Sequence, residues 1–300
     1  MSITKTDISE WFKLLQDEIC NALEKADGKA QFKEDLWERP GGGGGRTRVI
    51  TDGNVLEKGG VNFSAVEGTT PVNILQALEL EECDFFATGV SIVIHPSNPW
   101  VPIIHMNVRY FEMSNGVWWF GGGIDLTPHY INPQEAFYFH QSIKSVCDHH
   151  NSDFYPRFKT WADEYFYLKH RKETRGVGGI FFDRLGESEG SKEDLFAFVQ
   201  EVGKSFAPIY VHYINQNRDK TFTEVEKNWQ MLRRGRYVEF NLVWDKGTKF
   251  GLDTDGRTES ILMSLPPQAN WVYDFQPEEG SKESETLKLL KKNIDWINQK

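Results

Sequence analysis

The chain contains little cysteine and no long apolar stretch. Its three cysteines, Cys20, Cys83 and Cys147, are scattered and form no CxxC pair. An odd, dispersed set offers no disulfide framework and indicates a reducing compartment. No run approaches the roughly 18 consecutive apolar residues of a membrane span, and the N-terminal residues lack the apolar segment of a signal peptide. We therefore expect a cytoplasmic protein without a membrane span.

Positive charge is also in short supply. The sequence has 34 Lys and Arg against 44 Asp and Glu, so its net charge is -10. This balance argues against nucleic acid or an anionic membrane surface as a general partner. It does not exclude an anionic small molecule, because a few arginines gathered in one cleft can outweigh the average. Aromatic residues make up 14% of the chain, which suits a flat apolar ligand but equally fills cores.

The order of the predicted elements favours an α+β fold. Strand patterns cluster and turn back on each other, first in a hairpin at Asp52–Gly53. Helices come in blocks rather than alternating with strands, which predicts a large, mostly antiparallel sheet covered by helices on both faces. No repeat or linker divides residues 1–300, so we expect a single domain. Further strands are predicted near the C-terminus, at Arg236–Leu252 with a turn at Asp245–Gly247, at Thr258–Pro267 and at Ala269–Gln276.

One short apolar run carries alternating polar side chains. His105, Asn107 and Arg109 fall on one face of a predicted strand, while its other face is apolar. The preceding strand pattern alternates in the same way and includes Ser91 and His95. If the two strands pair antiparallel with matching faces, these side chains form one polar patch suited to proton transfer beside an anion. The alternative is an ordinary solvent-facing strand.

Other candidate residues have weaker patterns. Asp125 follows three glycines at the end of an aromatic strand, where it could bind a cationic or N–H-rich group or simply cap the next turn. His140 and His170 could join His95 around a divalent metal, although none shows the close spacing of a metal motif. Arg257 follows Asp255 and Gly256 in a predicted hairpin tip, where it could clamp a carboxylate.

Several longer segments resemble the oxygen-dependent coproporphyrinogen III oxidase family. The segments are GGGGGRTRVI, GGVNFSAVEG, HPSNPWVPIIHMNVRYFE, WWFGGGIDLTPHY, KETRGVGGIFFDRL, GRYVEFNLVWDKGTKFGL and TDGRTESILMSLPP. They extend from about Gly41 to Asp274. One departure concerns Arg184, which stands where the family usually has an acid, so the role of that second carboxylate is in doubt here.

The resemblance implies a reaction and an architecture. The substrate would be coproporphyrinogen III, a tetrapyrrole with four propionates, and two propionates would be oxidatively decarboxylated to vinyl groups to give protoporphyrinogen IX. Molecular oxygen would be the co-substrate, and no organic cofactor would be needed. Whether a divalent metal takes part stays open. The family forms homodimers and has a flat antiparallel sheet between helix layers, which agrees with the α+β prediction.

The resemblance also assigns roles to individual residues. It gives His105 as the proton donor, and it gives as substrate-binding positions Ser91, Asn107, Val108, Arg109, Asp255, Gly256 and Arg257. It gives His95, His140 and His170 as divalent-metal ligands, and residues 237–272 as the dimerisation segment. Because four propionates need arginines, we add Arg175 to Arg109 and Arg257. Because pyrrole N–H groups need a carboxylate, we place Asp125 and Asp183 in the catalytic set.

Two rival functions use the same residues. A non-catalytic tetrapyrrole carrier would need the arginines and aromatic residues but not His105. A histidine-ligated iron or copper oxygenase acting on another anionic aromatic compound would need His95, His140 and His170 to converge with one open coordination position. Replacement of His105 by Ala should leave the binding of a carrier intact, and stoichiometric metal after mild purification would favour the oxygenase.

Overall fold

A seven-stranded antiparallel sheet is the centre of the fold. The computed structural model describes residues 3–70, 83–253 and 256–298. Within these ranges the sheet has the order β1-β2-β3-β4-β5-β6-β9. Its strands are β1 (Lys33–Glu38), β2 (Gly43–Thr51), β3 (Leu56–Thr69), β4 (Asp84–Pro96), β5 (Ile103–Met113), β6 (Trp118–Thr127) and β9 (Gly178–Leu185). A separate two-stranded ribbon pairs β7 (Tyr167–Leu168) with β8 (Glu173–Thr174).

Helices precede, interrupt and follow this sheet along the chain. In the described ranges they are α1 (Lys5–Asp27), α2 (Pro133–His150), α3 (Phe154–Tyr165), α4 (Lys192–Asn217), α5 (Glu224–Glu239), α6 (Lys246–Asp253), α7 (Thr258–Leu262) and α8 (Lys282–Leu289), with a π-helical turn at Phe240–Trp244 between α5 and α6. None of these helices is long and apolar enough to cross a membrane. The α+β prediction is confirmed.

Helix α1 shows how one face of the sheet is covered. Thr4 caps its first turn and exchanges hydrogen bonds with Asp7, which forms a capping box. Apolar residues then recur at helical spacing and are buried, namely Ile8, Phe12, Leu15, Ile19 and Leu23. They join one large core with the inward side chains of β3 to β6, including Val90, Ile92, Met106 and Val108. Helices α2 and α4 contribute to the same core.

The opposite face of the sheet carries the polar side chains. Ser91 on β4 pairs directly with Asn107 on β5, and His105 pairs with Asp125 on β6. The two strands therefore pair antiparallel with matching faces, which is the arrangement that the polar patch requires. We call this surface the site face. The C-terminal part of the chain covers one end of it, where Met263 packs over Gly60.

The strands predicted at Arg236–Leu252 are wrong. This stretch contains the end of α5, the π-helical turn and α6. Its apolar residues satisfy a helical period as well as an alternating one, because Tyr237 and Phe240 are three residues apart and both are buried. An exposed β-strand for pairing with a second copy is therefore absent from this segment.

The last two predicted strands are also wrong. Thr258–Leu262 is the short helix α7, and no strand occurs between residues 263 and 281. Arg257 accordingly lies at the N-terminal boundary of α7 rather than at a hairpin tip. Gly256 donates its backbone N–H to the carbonyl of Gly251 at the end of α6. Asp255 lies outside the described residues.

Candidate functional site

A line of polar side chains crosses four neighbouring strands on the site face. Thr47 on β2 is paired with Asn62 on β3, Asn62 with Ser91 on β4, and Ser91 with Asn107 on β5. We call these four residues the polar row. Strands are about 4.8 Å apart, so the row is about 14 Å long. The sequence pattern predicted Ser91 and Asn107 as site residues. It did not predict Thr47 and Asn62, because no polar face was recognised on β2 or β3.

Arg109 stands at the β5 end of the polar row. Its Nη1 donates to Asn107 Oδ1 at 2.6 Å, and its Nη2 donates to Asp183 Oδ1 at 2.8 Å. Gly121 makes room for this pair, because a Cβ there would lie 2.6 Å from Asp183 Oδ1 and 2.8 Å from Arg109 Nε. The side chain of Arg109 remains 37% exposed. A guanidinium so placed can still receive a carboxylate of a ligand.

Arg257 stands at the other end of the polar row. Its Nη1 donates to Ser260 Oγ at 3.1 Å, and its Nη2 pairs with Asp35 on β1. Ser260 Oγ lies 2.9 Å from Thr47 Oγ1, which joins α7 to the row. Two of the three arginines predicted to hold carboxylates, Arg109 and Arg257, are thus found at opposite ends of one polar line.

His105 and Asp125 lie next to the polar row. His105 is two residues from Asn107 on β5, and Asp125 is its partner on β6. Asp125 is buried, and its Oδ1 lies 2.8 Å from His105 Nδ1. Burial alone would raise the pKa of Asp125, but the Arg175 guanidinium and the hydrogen bond from His105 hold it below its ordinary value. An ionised carboxylate only accepts, so Nδ1 of His105 carries the hydrogen. The Nε2 atom is therefore the one that can exchange a proton with a ligand.

Arg175 has a different setting from the one predicted. Its guanidinium is buried, with Nη2 2.7 Å from Asp125 Oδ1 and Nη1 3.1 Å from Asn241 Oδ1. Its Cζ lies 4.4 to 4.7 Å from the centroids of three rings, those of Phe166, Tyr237 and Phe240. Although burial opposes the charge, the Asp125 carboxylate keeps the pKa of Arg175 raised. Arg175 is thus enclosed beneath the site rather than presented to a propionate.

The three histidines considered as metal ligands have separate partners. His95 Nε2 lies 2.8 Å from the Ser264 carbonyl, and His140 is buried between the Tyr155 hydroxyl and the Val177 carbonyl. His170 instead joins Glu239 and Trp244 through its two ring nitrogens. Among the described residues, no group of three or more His, Cys, Asp or Glu side chains could hold a metal ion. These three histidines therefore do not fit a divalent-metal site.

Two further side chains decide what the site face offers. Val108 is fully buried in the core, because alternation along β5 turns it away from Asn107 and Arg109. Phe181 lies beside Gly123 and stacks on Tyr165 with ring centroids 4.0 Å apart, which gives the site an aromatic wall. No local sequence pattern predicts this wall or the cage of Phe166, Tyr237 and Phe240 around Arg175. Both are formed by residues that are distant in the sequence.

Comparisons with known proteins give matches to one enzyme family. The family model described as coproporphyrinogen III oxidase matches residues 7–296. A protein of Prochlorococcus marinus strain NATL1A, named oxygen-dependent coproporphyrinogen-III oxidase, is 49% identical over 95% of this chain and 89% of its own length. Its counterpart of the same name in strain NATL2A is 48% identical over the same shares.

Proposed function

Because the chain belongs to the coproporphyrinogen III oxidase family, we propose that it converts coproporphyrinogen III into protoporphyrinogen IX by oxygen-dependent oxidative decarboxylation of two propionates, a step of heme biosynthesis. The names of the curated relatives support oxygen as co-substrate. The observation that carries the proposal is the polar row, which has an arginine at each end and the His105–Asp125 pair beside it.

The site face suits a substrate with several carboxylates around a broad ring system. Arg109 and Arg257 are both partly exposed and lie at opposite ends of a line about 14 Å long, so they can bind propionates on different sides of the tetrapyrrole. Asp183 is the half-exposed carboxylate near the row, and it can accept from pyrrole N–H groups. Asp125 is unsuited to that task, because it is buried against Arg175 and His105.

The chemistry needs proton transfer beside the reacting side chain. For each propionate, the bond to the carboxylate breaks and releases carbon dioxide, and a C–H bond on the ring-side carbon of the same chain breaks. The two electrons pass to oxygen, which takes up that hydrogen as a proton and one proton from solvent to form hydrogen peroxide. His105 Nε2 can move a proton at the site because Asp125 fixes Nδ1–H on the far side of the ring. Asp125 and Arg175 position the imidazole.

We also propose the domain organisation, the oligomeric state and the compartment of the protein. Residues 1–300 would act as a single domain and as a homodimer through 237–272, since Leu242, Val243, Trp271 and Val272 expose apolar surface in that segment. All three cysteines are free, which supports a reducing cytoplasmic location.

An anaerobic mixing experiment tests this function. Purified, metal-assayed protein is mixed with coproporphyrinogen III without oxygen, oxygen is then admitted, and the products are identified by mass after oxidation. Loss of two carboxyl groups only after oxygen enters supports the oxidase. Substrate that stays unchanged but co-elutes with the protein would identify a carrier. Activity that is abolished by rigorous chelation and restored by one metal would favour the histidine-ligated iron or copper oxygenase.

A further inference from the structure

The polar row contains two amides whose orientation is fixed by their neighbours. Trp37 Nε1, which can only donate, lies 3.0 Å from Thr47 Oγ1, and Ser260 Oγ approaches the same oxygen at 2.9 Å. Ser260 in turn accepts from Arg257 Nη1, so its own hydrogen is available to Thr47. With both lone pairs used, Thr47 donates its single hydrogen to Asn62 Oδ1 at 2.5 Å.

The amide of Asn107 is held by a neighbour on its own strand. Arg109 Nη1 donates to Asn107 Oδ1 at 2.6 Å, so that oxygen points toward Arg109. Asn62 Oδ1 points toward Thr47 at the other end of the row. In each case the charge of an arginine polarises the hydrogen bonds that end at the amide oxygen, which strengthens the orientation.

The two NH2 groups are consequently left to bind a ligand over the row. Ser91 lies between them, directly opposite Asn62 on one side and Asn107 on the other. All three side chains are only partly buried. Within the described part of the chain, Asn62 Nδ2, Asn107 Nδ2 and Ser91 Oγ have no protein hydrogen-bond partner. The row thus offers two amide donors and one hydroxyl to a ligand, with Asn62 and Asn107 about 10 Å apart across two strand spacings.

We propose that Asn62, Ser91 and Asn107 form a donor-lined cradle for one carboxylate of the substrate, and that Asn62 is a specificity-determining residue. This inference rests on the proposed function and names which part of the substrate lies at the centre of the row. A pyrrole N–H suits the cradle less well than a carboxylate, because the two amide NH2 groups only donate and the Ser91 hydroxyl is the one group of the three that can also accept. Thr47 is a positioning residue, since its hydroxyl keeps the Asn62 oxygen turned away from the cradle.

Exchanging the amide for a carboxylate is the sharpest test. Asn62→Asp keeps the size of the side chain but replaces two donors with an acceptor of negative charge. We expect the anaerobic Kd for coproporphyrinogen III and the KM to rise about tenfold to hundredfold. The tetramethyl ester of the same porphyrinogen carries no carboxylate charge, so its Kd should change much less. Asn115→Asp, which makes the same exchange in an exposed turn, is the matched control.

A second pair of variants tests the positioning role of Thr47. Thr47→Val removes the hydroxyl at nearly constant shape, so Asn62 can turn its oxygen into the cradle. KM should rise while kcat stays close to that of the wild type, and Thr47→Ser should restore KM because it restores the hydroxyl. A structural role alone would move the melting temperature without this split between KM and kcat.

Each outcome decides the inference separately from the proposed function. Failure of the wild type to decarboxylate coproporphyrinogen III would refute the function. A wild type that turns over, together with Asn62→Asp and Asn62→Ala variants that keep its Kd and KM, would overturn the cradle. An equal loss of affinity for the free acid and the methyl ester would also overturn it, because the effect would then not depend on the carboxylate. Asn62→Ala serves if Asn62→Asp does not fold.

Discussion

One carboxylate oxygen of Asp125 contacts both His105 and Arg175, and the other oxygen accepts a second hydrogen bond from Arg175, from Nε at 3.2 Å. Asp125 Oδ1 lies 2.8 Å from His105 Nδ1 and 2.7 Å from Arg175 Nη2, and the carboxylate and guanidinium are both buried. A buried guanidinium depends on its counter-charge, because an unpaired charge is costly in the interior. Asp125 therefore has two functions that substitutions can separate, orientation of the imidazole and neutralisation of Arg175.

We expect Asp125→Asn to impair both functions. The amide can no longer hold His105 Nδ1–H with an ionic acceptor, so kcat should fall about 10²-fold or more. It also leaves Arg175 without a counter-charge, which should lower the free energy of unfolding by about 3 kcal/mol or more. Steady-state kinetics and urea unfolding of the same preparation measure the two effects.

His105→Gln is the matched variant for this prediction. It should reduce kcat at least as strongly, since Nε2 is lost, but it leaves the Asp125–Arg175 pair intact and should unfold close to the wild type. If Asp125→Asn were as stable as His105→Gln, the buried pair would not have the importance that the geometry gives it.

Arg109 should affect substrate binding more than the chemical step. Arg109→Ala removes a charged donor from the end of the polar row, and we expect KM to rise about tenfold to hundredfold with a smaller change in kcat. The exposed Arg157, which pairs with Glu189 on the surface, provides the control substitution Arg157→Ala. A kcat that fell in Arg109→Ala while KM stayed constant would place Arg109 in catalysis instead.

The sequence was sufficient to predict the central strands of the site. Alternation in a half-buried strand specifies its register, because a slip of one residue would turn Asn107 and Arg109 into the core. That constraint is local and strong, so a shared face for Ser91 and Asn107 was predictable, but their direct pairing was not, because a slip of two residues keeps the same faces. The Arg175 cage was not, because Phe166 and Phe240 come from segments whose contact depends on the whole fold.

The C-terminal segment shows where periodicity fails. Val238, Phe240, Leu242 and Trp244 alternate in the sequence, which favours a strand. In the structure, Phe240 packs against Arg175 while Leu242 is exposed, because the chain continues α5 into a π-helical turn. Short apolar runs fit both periods, and the tertiary contacts of Tyr237 and Phe240 decide between them.

Buried histidines should make the protein less stable in mild acid. Burial lowers the pKa of His140 to about 3, whereas an unfolded histidine has a value near 6.5. The unfolded chain therefore binds more protons below pH 6.5, and the stability due to His140 is complete above that pH and is lost as the pH falls toward 3. His129, lowered to about 3 by burial, acts in the same direction.

We expect His140→Gln to flatten this dependence. Between pH 6 and pH 4 its free energy of unfolding should fall less steeply than that of the wild type. The difference between the two slopes should be about 1.4 kcal/mol per pH unit. Urea unfolding at several pH values measures the slope. The same exchange at the exposed His149 is the control for the substitution itself. Equal slopes for the wild type and His140→Gln would show that His140 is not neutral and buried in the native state.

The proposed dimer can be tested at the outward side chains of residues 237–272. Leu242→Glu and Val272→Glu each place a charge on apolar surface that is about half exposed, so both should convert a dimer into monomers in sedimentation velocity. Leu14→Glu changes a somewhat more exposed leucine on α1 and should leave the dimer intact. If Leu242→Glu and Val272→Glu both remained dimeric, the interface would lie outside residues 237–272.

Activity should follow assembly in these variants. The segment that carries Leu242 outward carries Phe240 inward, where its ring centroid is 4.5 Å from the Arg175 guanidinium. A partner packed on the outside would hold this ring against Arg175, and Arg175 would hold Asp125 and His105. We therefore expect kcat to fall in the monomeric variants while Leu14→Glu keeps wild-type kcat. Monomeric variants with full kcat would show that the π-helical turn maintains the cage without a second copy.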